Sequence, residues 1–160
     1  MISRRAFLAI PAAIASGWSV PAMGAAPVFE LSDQWERPTS SGAMFRGNVV
    51  ILGGDLRNTG GLIGEWSAQL SSLAVFGIAD LSGVPFFVPK GSIRKELRQA
   101  SPRVPVLLDW KGEVYAPRLG FPKSREIVAQ VHDKDGKLLL RVEGPATAPR
   151  VDEVRKAASP

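Results

Sequence analysis

Short unbroken apolar runs alternate with stretches of helical periodicity along most of this chain. Asn48 to Gly53 (NVVILG) is the clearest run, and its consecutive branched aliphatics, closed by Gly53-Gly54, predict a central strand covered on both faces. Leu62, Trp66, Leu70 and Leu73 then recur at helical spacing, which predicts a helix over 60–73 with Asn58 or Thr59 as its N-cap. Ala74 to Ala79 (AVFGIA) predicts a second strand, parallel to the first, because the intervening helix is long enough for a right-handed crossover. Ser92 to Ala100 predicts a helix with Ile93 and Leu97 on one face and its charges elsewhere. Val104 to Leu108 predicts a strand that Pro102 and Pro105 push to an edge.

The remaining segments are shorter. Val28 to Leu31 predicts a short edge strand, residues 33–47 read as loop, and Glu113 to Gly120 reads as one or two helical turns. Glu126 to Val131 and Lys137 to Val142 predict an antiparallel hairpin turning through Asp133-Lys134-Asp135-Gly136, since Gly accepts the positive φ that tight hairpin turns need. Arg150 to Ala158 predicts a closing helix with Val151 and Val154 inward. Strands alternating with helices specify the α/β class.

The first 25 residues stand outside that pattern. Arg4-Arg5 precede an uncharged stretch, Ala6 to Val20, too short for a lasting membrane anchor and interrupted by Pro11. Ser3-Arg4-Arg5-Ala6-Phe7-Leu8 resembles the twin-arginine export signal, and Ala22, Gly24 and Ala25 offer small residues for cleavage. The expected division is a signal peptide over 1–25 and one domain over 26–160, delivered folded to the periplasm. Removing Arg4 and Arg5 leaves 18 Lys and Arg against 15 Asp and Glu, a net charge of +3. So mild an excess is no nucleic-acid footprint, and the mature chain shows no membrane span. The basic run Lys90 to Arg103 reads as a solvated helix face or a contact patch for an acidic partner.

The chain contains 0 Cys, which excludes disulfides, thiolate metal sites and every cysteine nucleophile. This matters because the order of elements is similar to the thioredoxin-like fold in its peroxiredoxin and TlpA-type variants. Two phrases carry the resemblance: Val104-Pro105-Val106-Leu107-Leu108-Asp109 with Gly112-Glu113-Val114 and Leu119-Gly120, and His132-Asp133-Lys134-Asp135-Gly136-Lys137 followed by Gly144. The chain also resembles YtfJ-type periplasmic proteins. The resemblance implies a central mixed sheet with a C-terminal antiparallel hairpin and flanking helices. It also implies a reactive cysteine just after the central strand, where a helix N-terminus stabilises a thiolate. Aligned on C-x-x-C, Leu56 and Thr59 stand at the cysteine positions; aligned on P-x-x-x-T-x-x-C, Asp55, Thr59 and Leu62 stand for Pro, Thr and Cys. Thiol peroxidase and dithiol oxidoreductase activity are thereby excluded. The Pro that precedes the third sheet strand in those families has no clear counterpart, since Pro122 lies four residues before Glu126.

Residues 53–61 carry four glycines before a predicted helix start, which reads either as a tight strand-to-helix turn or as a nest of amides for a phosphate, sulfate or carboxylate. The residues expected to hold such a ligand are Arg57, Asn58, Thr59 and Arg125. Arg125 matches, by its place before the hairpin strand, an arginine that peroxiredoxins aim at the reactive site. His132 is the only histidine and reads as a surface turn residue in preference to a catalytic base or metal ligand. No metal or other cofactor is expected, and no catalytic residue is assigned. The functional expectation is an exported non-redox binding or assembly module for a periplasmic protein or a small anion. The alternatives are a thiol-independent hydrolase or isomerase using carboxylates, and a structural subunit of a periplasmic complex.

Overall fold

A computed structural model describes residues 26–55 and 59–160. The expected signal peptide, and with it Arg4 and Arg5, lies outside the described residues. Five strands form the main sheet: β3 (Val49–Asp55), β4 (Val75–Asp80), β5 (Val106–Asp109), β6 (Val128–His132) and β7 (Leu138–Glu143), in spatial order β5-β4-β3-β6-β7. β3, β4 and β5 run parallel, while β6 pairs antiparallel with β3 and β7 antiparallel with β6. Three helices accompany them: α2 (Thr59–Gln69), α3 (Lys90–Ala100) and α4 (Ala148–Ala158). The predicted strand–helix–strand unit, basic helix, edge strand, hairpin and final helix are all present.

β3 sits at the centre because its side chains are apolar in both directions. Val50 and Leu52 face a core built with Ile63, Trp66 and Leu70 of α2, Ile93 and Leu97 of α3, and Val151 and Val154 of α4. Val49 and Ile51 face the opposite core, closed by Phe29, Phe45, Tyr115, Leu119 and Phe121. Burying a single side chain such as Leu70 contributes roughly 1.5–3 kcal/mol. The Trp66 indole N–H is satisfied inside its core by the Gly144 carbonyl at 3.0 Å.

Four local expectations are corrected. The edge strand expected at 28–31 is β1 (Glu30–Ser32), and the expected loop 33–47 contains its partner β2 (Pro38–Ser40) and a single-turn helix, α1 (Ser41–Met44). This small hairpin stands apart from the main sheet and covers the side of β5. The Gln34 side chain accepts from Val106 N–H at 2.7 Å and donates to the Val104 and Ser101 carbonyls. Second, Gly53-Gly54 continues the strand instead of ending it. A Cβ on Gly53 would lie 2.5 Å from the Phe121 ring, so the glycine is what lets that ring lie on the sheet. Third, α2 ends at Gln69, and residues 115–119 form turns instead of a helix. Fourth, His132 is buried, 4% exposed, at the end of β6.

The histidine is buried because its ring is fully bonded. Its Nδ1–H donates to the Gly136 carbonyl at 3.1 Å, which leaves Nε2 as an acceptor. The donors and acceptors around Gln130 orient its amide nitrogen toward His132 Nε2 at 2.8 Å and the Leu119 carbonyl at 3.0 Å. Its oxygen then accepts from Arg141 at 3.1 and 3.3 Å. Burial pushes the His132 pKa below its ordinary value of 6.5, and the Gly136 hydrogen bond and Asp133 oppose that shift. The turn beyond it is as predicted: Gly136 has φ +76, Gly136 N–H donates to Asp133 C=O, and the Asp133 carboxylate accepts from the Asp135 and Lys137 amides. The chain leaves the parallel half of the sheet after β5 and returns on the other side of β3, so a topological switch lies between β3 and β6.

Candidate functional site

The three parallel strands all end in aspartate, and register aligns the three: Asp55 opposite Asp80, Asp80 opposite Asp109. Each carboxylate has a different task. Asp109 is 1% exposed and accepts from the Glu113, Val114 and Tyr115 amides at 3.2, 2.9 and 2.8 Å, which pins the segment after β5. Asp80 accepts from the Ser82 amide at 3.1 Å and from its hydroxyl at 2.6 Å, shaping the start of the β4–α3 loop. Asp55 faces a cleft of about 660 Å³, which is also lined by Asp80, Ser82, Tyr115, Lys123 and Arg125. The cleft therefore opens at the carboxyl ends of β3 and β4, beside the topological switch, where open α/β sheets bind ligands.

Tyr115 is held there by two contacts. Asp109 accepts its backbone N–H, and its ring stacks on Phe121 with centroids 4.9 Å apart. Burial, then the negative charges of Asp80, Asp55 and Glu143, push its pKa from 10.0 up to about 12. The phenol is thus a hydrogen-bond donor at neutral pH and cannot serve as a base there. The cleft combines that donor with carboxylates on its floor and two cations, Lys123 and Arg125, at its lip.

Of the residues expected to hold a ligand, Arg125 lines this cleft. Thr59 is the first residue of α2, directly beyond the connection that leaves Asp55. Arg57 and Asn58 lie outside the described residues. The expected glycine-rich loop is shorter than supposed: Gly53 and Gly54 belong to β3 and Gly60 and Gly61 to α2. Gly60 is explained by packing, since a Cβ there would meet that of Ala100 at 2.7 Å, and the Ser101 hydroxyl donates to its carbonyl. Sequence reasoning missed Tyr115, Asp55, Asp80 and Ser82. The available signal was the repeated strand-then-Asp pattern of VILGGD, FGIAD and VLLD.

Among the described residues no group of three or more His, Asp or Glu is placed to hold a metal ion. His132 pairs with Val49, at the other end of β3 from Asp55. It therefore contributes nothing to the cleft.

No family model and no curated protein matches the chain. Solved structures match it over most of its length. StoA from Bacillus subtilis superposes with TM-score 0.59 at 12% identity, covering 80% of this chain and 96% of its own. The peroxidoxin BcpB from Mycobacterium tuberculosis gives TM-score 0.57 at 19% identity, with 86% and 97% covered. A secreted disulfide oxidoreductase of the same organism, homologous to DsbE of E. coli, gives 0.55 at 14% identity, with 81% and 93% covered. The fold is thioredoxin-like. In this thioredoxin-like chain the 0 Cys leave the cleft without a thiol. Every peptide bond among the described residues is trans, the one before Pro122 included.

Proposed function

We propose that this chain is an exported thioredoxin-like module that binds at the cleft instead of performing thiol chemistry there. The observation that carries the reading is the cleft itself, beside the topological switch, with a protonated Tyr115, two cations and two carboxylates on rigid strand ends. Lys123 and Arg125 attract an anion or a carboxylate. Asp55 and Asp80 beside them favour a ligand that also carries a hydrogen-bond donor or a positive charge, as a peptide terminus or an amino-acid-like molecule does. In sequence Arg57 and Asn58 lie between β3 and α2 and Thr59 opens α2, and the same reading includes all three as ligand contacts. Export rests on Arg4-Arg5 and the uncharged stretch after them, and among similar structures one is described as secreted and another as an exposed lipoprotein. The hydrolase or isomerase alternative would rest on Asp55 and Asp80 alone, since Tyr115 is protonated and His132 is bonded at the opposite end of β3.

The test is an NMR titration of residues 26–160 with phosphate, acetate and short peptides. The largest shifts are expected at Asp55, Tyr115 and 123–125, weakening with salt. Arg125→Ala should weaken binding by about 1 kcal/mol or less, as loss of an exposed charge contact does. Shifts confined to other surfaces, or none, would refute the cleft as a binding site. Export is tested separately by Arg4→Lys with Arg5→Lys, which should leave the protein in the cytoplasm and uncleaved.

A further inference from the structure

The loop between β4 and α3 is fastened at its ends and bare in its middle. Leu81 is buried, and Val84 and Val88 pack against the helical-side core. Val84 N–H donates to Leu81 C=O at 3.1 Å and Val88 N–H to Pro85 C=O at 3.0 Å, so two tight turns set the loop's path. That path leaves Phe86 100% and Phe87 72% exposed, with their rings in edge contact at 5.8 Å. The run Val84-Pro85-Phe86-Phe87-Val88-Pro89 contains no charged residue. Cations stand on both sides of it: Lys90 and Lys95 follow on the exposed side of α3, and Lys123 lines the cleft together with Val84 and Pro85. Of the nearby acids, Asp80 is bonded to Ser82, Asp55 lies on the cleft floor, and Glu96 is exposed on α3.

An exposed aromatic pair is unfavourable in water and marks a contact surface. A fully exposed tip, uncharged over six residues and flanked by lysines, suits a soft anionic surface. The rings enter the boundary between headgroups and acyl chains while ammonium groups meet lipid phosphates. We infer that this loop is a peripheral membrane wedge: Phe86 and Phe87 insert into an anionic phospholipid bilayer, and Lys90, Lys95 and Lys123 hold the protein against its surface. The chain needs no spanning helix for this, and none of its described helices is long and apolar enough to cross a membrane. With the wedge inserted, the neighbouring cleft opens close to the bilayer surface.

The experiment is flotation of residues 26–160, which contain every element described and both cores, with phosphatidylglycerol-containing vesicles and with pure phosphatidylcholine vesicles. Binding is expected to the first, weakening as salt rises. The Phe86→Ser/Phe87→Ser variant, which touches only exposed rings and should melt as the parent does, should bind roughly ten- to a hundredfold more weakly. Phe86→Trp/Phe87→Trp should retain binding, with its new indoles quenched by brominated acyl chains. Lys90→Glu/Lys95→Glu should weaken binding several-fold and only at low salt. Flotation of the serine variant equal to the parent's, or no flotation with either vesicle, overturns the inference. So does concentration-dependent self-association through the same two rings without vesicle binding, which would make them a protein-docking knob. The cleft titration is done without lipid, so either reading can fail while the other stands.

Discussion

The two ends of the central sheet both gather titratable side chains and treat them in opposite ways. At the hairpin end, His132, Gln130 and Arg141 form a relay in which both ring nitrogens and both ends of the amide have partners, and Arg141 also donates to the Gly120 carbonyl at 2.6 Å. Nothing there is left for a ligand to satisfy. At the cleft end Asp109 is closed off in this way and Asp80 is bonded to Ser82, while Asp55, Tyr115, Lys123 and Arg125 line open volume. The lesson is that a unique histidine beside two aspartates belongs to the frame here, while a tyrosine and strand-terminal carboxylates supply the cleft.

The contrast is broken most severely through Asp109, the buried carboxylate that pins the segment carrying Tyr115. Asp109→Ala strands three amides in a buried site, and a loss of about 3 kcal/mol or more is expected in urea denaturation, together with a Tyr115 pKa closer to 10.0. Unchanged stability would show that the segment after β5 is held by Phe121 packing alone. Gly136→Val is next, with a loss of roughly 1–3 kcal/mol from a β-branched residue at positive φ, checked by melting temperature.

Acid sensitivity separates the ends further. The folded pKa of His132 lies below its ordinary 6.5, so protonation favours the unfolded chain. Its part of the stability is complete above pH 6.5 and declines as pH falls toward the folded value. His132→Phe should flatten that slope in a pH series of denaturation curves. Tyr115 acts with the opposite sign: its folded pKa is about 12, so its contribution is complete below pH 10.0 and is lost as pH rises through about 12. It is the only tyrosine, and tyrosinate absorbance therefore reports it alone. Asp80→Asn should lower that midpoint by a fraction of a unit, the smallest of these effects, because burial outweighs the neighbouring charges. A midpoint indifferent to Asp80 would place the carboxylate's influence elsewhere.

What was legible in the sequence is what local pattern determines. The run NVVILG, the leucine spacing of α2, the AVFGIA strand and the Asp-Gly turn each carry their signal within a dozen residues. What was not legible depends on partners distant in sequence. β1 and β2 are three residues each, too short for alternation to stand out, and exist because Gln34 and Asp33 meet β5 some 70 positions on. Gly53 looked like a strand end because nothing local reveals the Phe121 ring lying on it. His132 looked exposed because the sheet, not the turn, brings Arg141 and Gln130 together. The cleft residues come from four separate segments, and the sequence announced them through Arg125 and the recurring terminal aspartates.

Gln34 also decides in which direction the sheet can grow. With its amide occupying the donor of Val106 and the acceptor of Val104, the β5 border offers no ladder for an incoming strand along that stretch. The opposite border, β7, carries Leu138 and Leu139 at 41% and 43% exposure and has no neighbouring strand among the described residues. Lateral pairing is therefore one-sided. Two molecules that met edge to edge through β7 would use up that border of the main sheet on both, and the joined main sheet would close at two copies instead of propagating as a fibre.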